Sequence, residues 1–339
     1  MSKIYEALRQ AELDRSNADR AGSDPASGPQ STSQAGLEEG PASPYVPAFS
    51  NAGRALATLT PVPKANGRVA VAPLVDTLAS VVDEGPELSD ADLAKVQQIK
   101  WAPSLLQFPS LDDRGAAVEQ FRSLRSRMQE FRDLNTIKSI LVSSGIPQEG
   151  KSFIAANLAV SFARHKAGRV LLIDGDMRRA TLHKLLGCPQ GPGLTEYLSG
   201  SASIVEIMQR PSPSEPGAPL PPGLASLTFI PAGNEHDKAA DLSGNRRFER
   251  LIAAAAPHFD WIVVDSSPVN LVSDGVNLAR ACDAVLLVAR GGVTKYEIAQ
   301  RAVSELKASK VLGFVLNAVK NPPATGGYYG YDGYDKVEE

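Results

Sequence analysis

Residues 139–159 read SILVSSGIPQEGKSFIAANLA, and their interpretation decides the fold. SILVSS is a short aliphatic and β-branched run of the kind shown by a strand buried in a parallel sheet. It passes directly into Gly145, Ile146, Pro147, Gln148, Glu149, Gly150, Lys151 and Ser152, which fit G-x-x-x-x-G-K-[ST], and then into a helical stretch. In a strand–loop–helix setting this pattern has a physical meaning. Glycines let the main chain wrap a row of phosphates, N–H groups converge on them, and the following helix points its positive end inward. Lys151 adds a full charge, and the Ser152 hydroxyl can ligate Mg²⁺. The eight residues therefore predict a nucleotide-binding loop. The competing reading, a glycine turn with a solvated lysine, leaves the carboxylates downstream unexplained.

Outward from this loop, buried-strand runs recur in RVLLID, LTFIPAG, DWIVVDSS, DAVLLVAR and VLGFVLN. Helical stretches such as FIAANLAVSFARH, DGVNLARA and EIAQRAVSELKA lie between most of them, and GAAVEQFRSLRSRMQEFRDL precedes the first. Alternation of this kind predicts an α/β fold, a doubly wound, mostly parallel sheet flanked by helices. Asn317 ends the last run and joins the nucleotide-binding set. The stretch RPSPSEPGAPLPPG breaks the alternation and reads as a mobile surface insertion.

Two further strand ends carry acids. RVLLIDGDMRR places Asp174 and Asp176 just past a strand, followed by Arg178, and WIVVDSSP places Asp265 past another. In open α/β sheets ligands sit at the carboxyl ends of strands. Three carboxylates on one rim would repel by several kcal/mol per pair at short range, roughly, and a divalent cation offsets that. The expectation is Mg²⁺ held by Ser152, Asp176 and Asp265 together with nucleotide phosphates. Each aspartate alone would also serve as a helix N-cap.

The rest of the chain bounds the function. Its 339 residues are 43% hydrophobic and 22% charged, with a net charge of −3. That balance gives no basic excess for nucleic acid as a partner. Cys188 and Cys282 lack metal-ligand spacing and suit a reducing compartment. No run approaches the roughly 20 apolar residues of a membrane helix, and the first residues lack a signal-peptide core, so a cytoplasmic location is expected. Residues 1–15 read as a short amphipathic helix with Ile4, Ala7, Leu8 and Ala11 on one face. Residues 16–85 have the Ser/Gly/Pro/Ala composition of a disordered linker, and 86–114 form a segment ahead of the domain proper, which spans 115–320. Residues 321–339 form a glycine-rich tail holding Tyr328, Tyr329, Tyr331 and Tyr334.

The second acidic strand end resembles the Walker A′ motif of deviant P-loop ATPases. The MinD and ParA partition proteins of that group carry a lysine immediately after the first loop glycine, where this chain has Ile146. SSGIPQEGKS instead resembles the loop of the bacterial tyrosine kinases associated with polysaccharide production. EQFRSLRSR matches that family's E-x-x-R-x-x-R helix through Glu119, Arg122 and Arg125, GPGLTEYLSG matches its G-L-x-x-x-L-x-G segment, and the tail matches its tyrosine cluster. The similarity covers roughly residues 115–339. The chain departs from the family at NEHDKAADLSGN, where a proline-rich stretch is usual, and at Ala180, where a proline is usual.

The resemblance implies a P-loop NTPase fold and an ATP- and Mg²⁺-dependent protein-tyrosine kinase that phosphorylates its own tail and regulates exopolysaccharide or capsule polymerisation and export. Lys151, Asp174, Asp176 and Arg178 would be catalytic, with Asp174 and Asp176 sharing the metal and acceptor roles in either order. Glu119, Arg122 and Arg125 would join subunits into a ring, although glutamate and arginine three residues apart on a helix can also satisfy each other. Expected partners are a further copy of the chain, a membrane co-polymerase or chain-length determinant acting as activator and recruiting the chain to the inner face of the membrane, and a phosphotyrosine phosphatase. The alternative is a non-kinase regulatory P-loop ATPase, MinD- or ParA-like, acting as an assembly switch.

Overall fold

The computed structural model describes residues 88–319, apart from 167, 214, 216 and 235–237. The expected helix at 1–15, the linker at 16–85 and the tail with Tyr328, Tyr329, Tyr331 and Tyr334 lie outside the described residues.

All six expected strands form: β2 (Ser139–Ser144), β3 (Val170–Asp174), β5 (Leu227–Ile230), β6 (Trp261–Asp265), β7 (Ala284–Arg290) and β8 (Val311–Asn317). Two more were not anticipated, β1 (Gln97–Lys100) and β4 (Gln209–Ser212). They complete one sheet in the order β1-β4-β5-β3-β6-β2-β7-β8. Every pairing is parallel except β4 with β5. The start of RPSPSEPGAPLPPG is thus part of β4, a correction to its reading as a surface insertion throughout. Likewise the segment ahead of residue 115 packs into the domain. It supplies α1 (Asp90–Ala94), β1 and the buried side chains of Trp101 and Phe108.

Strand alternation divides the core between the two faces. Leu141, Leu171, Ile173, Ile262, Val264, Val285 and Leu287 enter one apolar cluster, and Ile140, Val142, Val170, Leu172, Val263 and Leu286 enter the other. Residues one apart on a strand point to opposite faces, so a strand apolar at every position needs helices on both sides. The second cluster is covered by α2 (Ala116–Asn135) and α3 (Lys151–Arg164). In α3 every residue from Ile154 to Ala163 is buried. Its alanines allow close approach to the sheet, and Phe162 stacks on Trp261 with ring centroids 4.1 Å apart. The first cluster packs α5 (Leu194–Ser199), α7 (Arg247–Ala255) and α8 (Asp274–Ala279). Two short helices, α4 (Leu182–Leu186) and α6 (Ala239–Ser243), and the longer α9 (Tyr296–Glu305) complete the set. Because the central strands run in one direction, the ends of β2, β3 and β6 meet on one rim.

Candidate active site

The loop from β2 to α3 is fixed from behind. Gln148 has φ 64° and Gly150 φ 93°, conformations that turn the main chain back on itself before α3 begins. The Glu149 side chain is buried and faces the loop rather than solvent. One carboxylate oxygen accepts from the Ile146 amide at 2.9 Å, and the other accepts from the Thr294 hydroxyl. Asn317 Nδ2 donates to the Glu149 carbonyl at 3.0 Å, and Arg290 Nη1 to that of Gln148 at 3.4 Å. Gly145, Ile146, Glu149 and Asn317 therefore shape the loop, while Pro147, Gln148, Gly150, Lys151 and Ser152 line a cleft of about 530 Å³. Asp176, Arg178 and Ser267 line the opposite wall.

The three strand-end aspartates occupy different environments. Asp176 reaches the cleft, where its Oδ2 lies 2.7 Å from Lys151 Nζ and its Oδ1 accepts from the Ser267 hydroxyl at 2.8 Å. Asp174 is buried, and its Oδ2 accepts from the Thr181 and Leu182 amides at 3.2 and 3.1 Å, capping the start of α4. Asp265 pairs with Asp174 across β3 and β6 and is fully buried, with Lys151, the Ser152 hydroxyl and the Ser266 amide around its carboxylate. Among the described residues, no three His, Cys, Asp or Glu side chains come together as a metal-holding group. The three acids nevertheless lie close enough to act on one another and on Lys151. Asp174 is drawn off by main-chain amides, which leaves Asp176 and Asp265 facing the loop lysine.

The electrostatics follow from that burial. Desolvation pushes the Asp174 and Asp265 carboxyls above the usual range, and for Asp174 the neighbouring Asp265 adds to it. Burial opposes the charge on Lys151, but Asp265, Asp176 and Asp174 outweigh it and hold the ammonium above its ordinary value. A buried carboxylate beside the first turn of α3, facing the Ser152 hydroxyl, suits a hard cation. Arg178 Nε and Nη2 donate to Asp274 at 2.5 and 3.3 Å. The sequence reading did not single out Asp274, Ser267 or Thr294. Only SSP after the Asp265 strand and SD before the next helix hinted at polar groups near this rim.

On α2, Glu119 and Arg122 pair with each other at 2.5 Å. Arg122 also donates to the Asp113 carbonyl, and Arg125 turns inward to the Ser161 carbonyl at 3.1 Å.

No family model matches the chain. Among curated proteins it is 34% identical over 218 residues to tyrosine-protein kinase CpsD of Streptococcus agalactiae, covering 62% of this chain and 88% of that one. It is 31% identical over 215 residues to tyrosine-protein kinase YwqD of Bacillus subtilis, covering 62% and 86%. Against tyrosine-protein kinase Wzc of Salmonella typhimurium identity is 32% over 224 residues, covering 64% of this chain but only 29% of that longer protein. Among solved structures, the kinase domain of the Escherichia coli tyrosine kinase ETK matches with a TM-score of 0.58 and 26% identity, over 73% of this chain and 92% of that one. The BceF tyrosine kinase domain matches at 0.52 and 26%, over 69% and 98%. A phosphate loop, a second acidic strand end and relatives matched over most of their length lead to one conclusion: the chain belongs to the bacterial tyrosine-kinase family.

Proposed function

We propose that the chain is an ATP-dependent protein-tyrosine kinase whose acceptors include its own Tyr328, Tyr329, Tyr331 and Tyr334. The observation that carries this reading is the Lys151–Asp176–Ser267 chain of contacts on the wall of a cleft floored by the phosphate loop. Loop amides and Lys151 bind the ATP phosphates, and the ammonium exchanges Asp176 for phosphate oxygens when nucleotide enters. Mg²⁺, when bound, would neutralise phosphate charge, held by Ser152 and Asp265 and, through water, by Asp176. The phenol oxygen bonds to the terminal phosphorus as the bond to the ADP oxygen breaks, and the phenol proton passes to a cleft carboxylate. Asp176 lines the cleft and Asp174 does not, which favours Asp176 for meeting the acceptor hydroxyl and Asp174 for holding the α4 junction. Arg178 balances charge developing on the transferred group.

The tail follows β8 directly, and about fifteen extended residues reach at most about 50 Å. That is enough to enter a neighbouring copy's cleft. Subunit contacts through Glu119, Arg122 and Arg125, a separate membrane co-polymerase as activator, a phosphotyrosine phosphatase as counterpart, and a role in exopolysaccharide export complete the proposal. Among the described residues no helix is long and apolar enough to cross a membrane, so the activator would supply the membrane attachment.

Incubation of the full chain with ATP and Mg²⁺, followed by mass spectrometry of the C-terminal peptide, tests the reading. Phosphotyrosine that disappears in Lys151→Met is the expected result. Hydrolysis of ATP without any tyrosine phosphate would refute the kinase and favour the regulatory ATPase.

A further inference from the structure

Arg178 lines the cleft with its side chain 41% exposed, and the carboxylate it binds, that of Asp274, is 1% exposed. A long, half-exposed arginine samples many rotamers unless something fixes it. Asp274 engages Nε and Nη2, one edge of the guanidinium, and makes no bond to Nη1. The anchor is itself rigid. Asp274 opens α8, and a Cβ at the next residue, Gly275, would collide with the Ser267 carbonyl. The first turn of α8 is therefore seated on the loop whose Ser267 hydroxyl holds Asp176. On the other side, the Gly175 amide donates to the Asp265 carbonyl at 2.9 Å, so the loop carrying Arg178 is tied to the same strand end.

The geometry points to Asp274 as the positioning residue for Arg178, orienting its guanidinium so that Nη1 addresses the terminal phosphoryl oxygens of a nucleoside triphosphate in the cleft. This rests on the proposed phosphoryl transfer. Asp274 touches neither nucleotide nor acceptor and acts through Arg178. Its loss lowers turnover and leaves the hold of the loop on the inner phosphates in place.

The test is a double-variant cycle on the full chain, reading phosphoryl transfer at saturating ATP and binding of ADP. In Asp274→Asn, turnover is expected to fall about tenfold to a hundredfold with ADP affinity changed less than about twofold. In an Arg178→Ala background the same change is expected to add little. Millimolar guanidinium is expected to restore turnover in Arg178→Ala but not in Arg178→Ala/Asp274→Asn, because Asp274 is the seat the free cation would occupy. The inference is overturned if Asp274→Asn costs as much without Arg178 as with it, if guanidinium rescues both variants equally, or if ADP affinity falls in step with turnover. Should Asp274→Asn not fold, Arg178→Lys keeps the charge but not the two-point contact, and unchanged turnover in it overturns the inference. A wild-type chain that hydrolyses ATP without modifying tyrosine refutes the kinase reading alone, and the cycle is then read on hydrolysis. A wild-type chain that does neither, alone or with the cytoplasmic segment of its co-polymerase present, overturns both.

Discussion

The site gathers its chemistry from single side chains whose burial sets their behaviour. Asp265 is an ionisable group kept in the interior, where Lys151, the Ser152 hydroxyl and the Ser266 amide offset only part of the cost of burial, and a charge so placed works against folding. Asp265→Asn is expected to raise the melting temperature by about 2–5 °C while abolishing Mg²⁺-dependent transfer, and calorimetry beside an activity assay checks both halves. Burial also pushes the Cys188 thiol up to about 12, with the Asp174 carboxylate contributing, and moves Cys282 the same way. The folded state therefore keeps its thiol protons longer than the unfolded chain does. Stability from these groups is complete below the usual thiol range near 8.5 and is lost as pH climbs towards 12, roughly. Both thiols are partly buried, and at pH 8 a maleimide is expected to label the native chain more slowly than the denatured one. Equal rates would show that the two thiols are open to solvent. At this scale the sequence displayed the phosphate loop and the acids at strand ends, because each sits at a fixed offset within one contiguous motif. It did not display Asp274, Ser267 or Thr294. Their partners lie far along the chain and meet them only when separate loops converge on one rim.

Among elements, legibility followed burial. The six expected strands announced themselves because aliphatic and β-branched residues fill most of their positions, and five of them are buried along nearly their whole length. QQIK of β1 and QRPS of β4 carry polar residues at most positions and belong to short strands at one side of the sheet, so no periodicity marks them. Helix α3 could be read as a helix, but its depth could not. Its stripe of alanines reflects burial on all sides rather than an exposed face. Leu158→Ala there is expected to cost about 2–5 kcal/mol in a denaturant titration. Two glycines mark where elements touch main chain to main chain. A Cβ at Gly175 would strike the Asp265 carbonyl, and one at Gly275 that of Ser267. Gly175→Ala and Gly275→Ala are each expected to destabilise the fold by about 1–3 kcal/mol and to lower turnover with it, since both contacts set the loops around the cleft. A variant of either kind with wild-type melting and turnover would show that the rim is not held this way.

For the molecule as a whole, the packed unit starts earlier than the motif region suggests. Trp101 and Phe108 belong to the same buried cluster as α3, and Leu88, Leu93 and Val96 belong to the cluster on the opposite face. A chain beginning at residue 115 is expected to lose cooperative unfolding, whereas one beginning near residue 86 keeps it. Fluorescence-monitored urea unfolding distinguishes them.

Where the described body begins and ends has a consequence for tethering it. Near its start, Asp90 lies 3.2 Å from His258 Nδ1 and 3.5 Å from Arg169 Nη1, residues that precede β6 and β3. At its close, Asn317 reaches the Glu149 carbonyl beside the phosphate loop. Asp90 is therefore at the foot of the sheet and Asn317 at its crown, a strand's length of about 17 Å away. A label or tether fixed at residue 90 would therefore sit at the opposite end of the strands from the cleft and leave its mouth unobstructed.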